Sequence, residues 1–156
     1  CGMMYPEFFC QRVLPTYYPL EKVYLSEPPL VDINSVTNES MSVVSAFNSS
    51  SEFKVGDIVA FKIEVKDSRG SRKLKGGDHI RAWLVDESTQ SRMAAKVTDF
   101  NNGTYMASAP LLFQGKLRLY AALAYSREYI RALLYTHQVI KSYRHIAALF
   151  SNTRVS

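Results

Sequence analysis

Cysteine is scarce in this sequence: Cys1 and Cys10 are the two it has, both at the start of 156 residues. A disulfide across that short loop and pairing outside the chain both stay open, and so few cysteines say little about redox compartment. No stretch of about 18 uncharged apolar residues occurs, so no membrane-spanning helix is expected. There is no Gly-x-Ser-x-Gly elbow of the kind that seats a hydrolase nucleophile. The three histidines, His79, His137 and His145, fall in different segments with no cysteine beside them to complete a metal set. The sequence opens on Cys1 and has no basic stretch leading into an apolar one, so it is expected to be a fragment or mature piece of a longer chain.

What is present is globular in character, with 47% apolar and 21% charged residues. Charge is unevenly spread: residues 1–52 carry two basic and six acidic side chains, residues 53–156 carry 17 basic and eight acidic. Lys66, Arg69, Arg72, Lys73 and Lys75 form the one dense basic cluster. It has no interleaved aromatic residues, so it reads as a solvated loop rather than a nucleic-acid surface.

Five of the six prolines lie in residues 1–35, among several tyrosines and with no clear period. Residues 1–39 are therefore expected to be an extended arm or linker. From Ser40 the pattern becomes that of strands. In "IVAFKIEVKD", Val59, Phe61, Ile63 and Val65 alternate with Ala60, Lys62 and Glu64, which predicts one buried and one wet face. "HIRAWLVD" places Ile80, Ala82 and Leu84 opposite Arg81 and Trp83. "SRMAAKVTDF" and "GTYMASAP" flank Asn101-Asn102-Gly103, residues that tolerate positive φ, and so predict a hairpin. "KLRLYAALAY" puts Leu117, Leu119, Ala121 and Leu123 on one face. Six strands between turn-rich gaps predict an all-β antiparallel β-sandwich over residues 40–152. After Tyr125 the period becomes helical: Ile130, Leu133 and Leu134 share a face, Ser126 is the expected N-cap, and a short C-terminal helix is predicted over 127–138. "YRHIAALF" (143–150) is read as a last edge strand.

The ordered elements Gly56-Asp57, Asp67 to Gly70, Gly76-Gly77-Asp78, Val97 to Tyr105 and Leu112 to Gly115 resemble the immunoglobulin-like, filamin-type (E-set) domain of the neurexophilin and PC-esterase (NXPE) family. "AYSREYIRALL" is similar to that family's stretch after the sixth strand, with Tyr125 where the pattern has His. The resemblance covers roughly residues 40–152. It implies a secreted or secretory-pathway domain, and for neurexophilins a partner of α-neurexin type. Longer members carry an esterase-like domain with a Gly-Asp-Ser motif, which this sequence lacks.

These readings converge on a non-catalytic, extracellular protein-binding module without metal or cofactor, contacting its partner by an edge strand or a sheet face. Two alternatives are the accessory domain of a carbohydrate-ester-modifying enzyme whose catalytic half is absent, and a filamin-type scaffold repeat. Sequons at Asn38, Asn48 and Asn102 predict a glycoprotein. Trp83 and Arg81, on the polar register of their strand, are the partner-contact candidates; burial of Trp83 beneath the N-terminal arm is the competing role. Within the fold, Asp78 is expected to bond its own loop backbone, and Tyr105 to send its ring inward and its hydroxyl to a loop carbonyl.

Overall fold

The structure, a computed structural model, describes residues 18–28, 30–47 and 53–138. The chain divides into two compact units, Pro28–Arg131 and Cys1–Glu27 with Ala132–Ser156. Of the second unit, the described part comprises the end of the C-terminal helix and helix α1, Tyr18–Leu25. Helix α1 lies within residues expected to be extended. Pro19 is tolerated because it sits in the first helical turn, where a missing N–H costs no hydrogen bond.

The larger unit is mostly β. Its strands are β1 (Thr37–Ala46), β2 (Ile58–Asp67), β3 (His79–Asp86), β4 (Arg92–Asp99), β5 (Thr104–Pro110) and β6 (Leu117–Tyr125). They form one nearly closed antiparallel sheet in the order β1-β2-β5-β4-β3-β6. β4 divides its pairing: Arg92 to Ala95 bond to β3, and Lys96 to Asp99 bond to β5. The strand thus turns the sheet onto itself, and β1 approaches β6 across the remaining seam. β1 begins three residues before the alternation suggested, and its register against β2 shifts between Asn38 and Val43. A 3-10 turn, Ile33–Ser35, precedes it, with the Asp32 side chain accepting the Asn34 N–H.

The core follows the predicted alternation. Val59, Leu84, Met93, Ala109 and Leu111 form one buried cluster, with Phe61 and Leu119 packed against it but only partly buried. Ile63, Val65, Ala82, Tyr105 and Ala107 form a second. Helix α2, Arg127–Gln138, spans the predicted residues, and Ser126 Oγ accepts the Tyr129 N–H as its cap. Leu133 departs from the expected face: it is 47% exposed, while Ile130 and Leu134 are half-buried. The expected strand 143–150, His145, Cys1 and Cys10 lie outside the described residues, as does the side chain of His137.

One buried network locks the loop before β3 to the start of α2. Tyr105 is buried as expected, but its hydroxyl bonds Asp78 rather than a loop carbonyl. Asp78 in turn reaches across the fold instead of to its own loop, and its Oδ1 accepts the Arg127 N–H at 2.8 Å. Burial, partly offset by these hydrogen bonds, pushes the Asp78 carboxyl above the usual carboxylate range, while burial together with the adjacent Asp78 charge lifts the Tyr105 phenol well above its own. The turn between β4 and β5 depends on Gly103. Its φ is +75°, and a Cβ added there would collide with the Lys73 carbonyl oxygen.

Candidate functional site

Antiparallel register brings distant residues together on the outer face of β4, β3 and β6. Trp83 pairs with Ala94 on one side and Tyr120 on the other, so all three side chains share that face. The indole and phenol rings stack, with centroids 5.9 Å apart and planes 9° from parallel. Trp83 is half-buried, and Tyr120 is 42% exposed. The small side chains of Ala94 and Ala122 flank the rings on that face.

Cations surround it. Arg81 lies two residues along β3 on the same face and pairs in register with Ala122. Arg92 and Lys96 share the face on β4. All three are exposed, and none makes an ion pair or side-chain hydrogen bond among the described residues. At the far end of the face, Glu87 joins Arg118 at 2.6 Å and Lys116 at 3.2 Å, neutralising part of that charge. The free positive field is therefore concentrated around the aromatic stack, where it attracts an anionic surface.

The dense basic loop behaves differently. Arg69 pairs with Asp32, Arg72 lies 4.0 Å from Glu64 and donates to Thr104, and Lys73 pairs with Glu128 at 2.7 Å. The Lys73 and Glu128 side chains are only 15% and 8% exposed, so this is a largely buried tie between the β2–β3 loop and α2. Arg69, Arg72 and Lys75 stay exposed, as a solvated loop implies, and Lys73 is the member drawn into the fold. The loop's acidic partners come from Asp32, Glu64 and Glu128, none of which local spacing identifies.

The other candidates separate in space. Asn102 is exposed in the β4–β5 turn, and its Oδ1 accepts the Thr104 N–H at 3.0 Å. Asn38 is half-buried on β1; its amide donates to Ser68 Oγ at 3.1 Å while its Oδ1 accepts the Ser40 N–H at 2.9 Å. Asn48 lies outside the described residues. His79 is exposed and meets Tyr125 edge-on at 6.1 Å, and Tyr125 stacks on Tyr129 at 5.4 Å. Tyr120, Arg92 and Lys96 were not singled out by sequence. Period alone placed Tyr120 on its outer face, but its meeting with Trp83 depends on the β3–β6 register. Among the described residues no group of His, Cys, Asp and Glu is placed to hold a metal ion, and no helix is long and apolar enough to cross a membrane. Compared with protein-family models, the chain matches none.

Proposed function

We propose that the chain is a non-catalytic binding module of the extracellular or secretory-pathway kind, built on an immunoglobulin-like β-sandwich, which contacts an acidic protein surface through the outer face of β4, β3 and β6. One observation carries this reading: the Trp83–Tyr120 stack lies on the outer sheet face beside Arg81, Arg92 and Lys96, cations that are unpaired among the described residues. Aromatic rings and arginine are the side chains that dominate protein interfaces, and a rigid stack loses little conformational entropy on docking. The division of β4 between two neighbours is compatible with the two-layered fold that the resemblance to the NXPE domain implies. That resemblance also makes an α-neurexin ectodomain the first partner to test.

The test is surface plasmon resonance of the full chain against an immobilised α-neurexin ectodomain at two salt concentrations. Trp83→Ala should weaken binding by about 2 kcal/mol or more, as for a hot-spot residue. Arg81→Glu should slow association and reduce its salt dependence. Binding that ignores both substitutions would reject this face as the contact. No binding to the ectodomain at all would reject the partner, and capture of acidic proteins by the unmodified chain but not by Trp83→Ala would still support the face.

A further inference from the structure

Ligand sites are commonly concave clefts of a few hundred to a thousand Å³. An open cleft of about 870 Å³ sits at one end of the sheet, where β3 ends and β2 and β6 begin. It reaches the first core cluster, for Val59, Leu84 and Leu111 form its deep walls while remaining almost wholly buried. Phe61, Phe113 and Leu117 line its sides. The mouth is apolar too: Phe53 is 40% exposed and Val55 53%.

Two polar side chains interrupt this lining, Lys54 and Gln114, and no acidic residue does. The Lys54 N–H is held by Asp57 Oδ2 at 2.7 Å, which fixes the backbone of the rim. Neither the Lys54 ammonium nor the Gln114 amide has an ion-pair or hydrogen-bond partner among the described residues. A space of this volume, with mixed walls of apolar side chains and polar surface and with Lys54 and Gln114 in its lining, has the dimensions of a small-molecule site. Its one charge is positive, so the complementary ligand is an anion with an apolar body.

We propose that the cavity binds one amphipathic carboxylate, a fatty-acid-like molecule whose chain lies among Val59, Phe61, Leu84 and Leu111 and whose head group meets Lys54 and Gln114. The proposal does not rest on the reading of the outer face, which lies on other residues.

The experiment titrates the full chain with the fluorescent fatty acid cis-parinarate, then displaces it with laurate or with dodecanol. Saturable binding of one equivalent is expected, with laurate displacing better than dodecanol. Lys54→Ala should reduce that preference by about two- to fivefold, the range of an exposed ion pair, and leave dodecanol unchanged. Leu117→Trp, which fills the cavity, should weaken both ligands while a thermal melt reports on folding. Amide shifts of the unmodified chain on adding laurate supply a reading independent of any variant, and they should centre on Val59, Leu84, Leu111 and Leu117. Absence of a saturable step, several equivalents adsorbed, shifts confined to Trp83 and Tyr120, or a laurate preference intact in Lys54→Ala would each overturn the proposal. The first of these would leave the mouth to an apolar side chain of a protein partner.

Discussion

The phenol oxygen of Tyr105 accepts the backbone N–H of Asp78 at 2.9 Å and donates its own proton to Oδ2 of the same residue at 3.1 Å. Both residues are buried, Tyr105 to 1% exposure, so neither group has water as a substitute partner. Tyr105→Phe should cost about 1–3 kcal/mol, the penalty for stranding a buried polar group. Asp78→Ala also strands the Arg127 N–H, and the double variant should lose less than the sum of the two, since they share a bond. Asp78→Asn should cost less than Asp78→Ala at neutral pH. Burial raises the Asp78 pKa in the fold, so the carboxyl's contribution is present at low pH and declines as pH rises through that value. Urea unfolding of the four variants, and of the parent across pH, checks all four statements.

Gly103→Ala meets two obstacles at once. A left-handed backbone costs a residue with a Cβ about 1–2 kcal/mol, and the new methyl would collide with the rigid Lys73 carbonyl. The loss should therefore exceed that range, read as a lowered melting temperature in protein made without glycans. Asn102→Asp keeps the acceptor that holds the Thr104 N–H and should melt like the parent.

Lys73→Ala would leave Glu128 without its partner in a largely buried place, with Oε2 already unpaired. A loss of about 3–5 kcal/mol is expected, and Lys73→Met with Glu128→Leu should recover much of it. A double-mutant cycle by chemical denaturation measures the coupling.

Asp86 is buried at the end of β3, where Thr89 Oγ1 donates to it at 2.7 Å and Ser88 Oγ at 2.8 Å. The hydrogen bonds from Thr89 and Ser88 hold its pKa down from 3.8 to about 2. A depressed pKa gives stability that is present above the unfolded value and is lost as pH falls through the folded one. Asp86→Asn should thus be less stable than the parent at neutral pH, and the gap should narrow as pH falls toward about 2. Denaturant midpoints across that range provide the check.

Leu84→Ala, at a site 2% exposed, should cost about 2–5 kcal/mol. Lys62→Ala, on the wet face of β2, should change stability by under about 0.5 kcal/mol. Phe61 and Leu119, which alternation alone ranks with the deepest core, are only partly buried, so their truncation should fall below that of Leu84. Thermal melts of the four variants rank them.

Local period was legible: β2, β3 and α2 fall where alternation and the Ser126 cap place them. Pairings between remote residues were not. Nothing in the spacing links Asp78 to Tyr105, Lys73 to Glu128, or Trp83 to Tyr120, because each depends on register set by the whole sheet. Trp83 and Arg81 stood out through their place on a polar register, and period put Tyr120 on an outer face, whereas the meeting of Tyr120 and Ala94 with Trp83 carries no signal until the strands are paired. Helix α1 escaped for the opposite reason, since its proline-rich surroundings suggested extended chain.

The seam between β1 and β6 carries a rule of parity. Neighbouring strands alternate in direction through all six, so the two facing edges run opposite ways. They can zip together directly as an ordinary antiparallel pair. A single extra strand laid between them must run parallel to one edge whenever it is antiparallel to the other. Whatever segment fills the gap, from this chain or another, is thereby given a mixed environment, and reversing its direction merely exchanges which edge receives the parallel ladder.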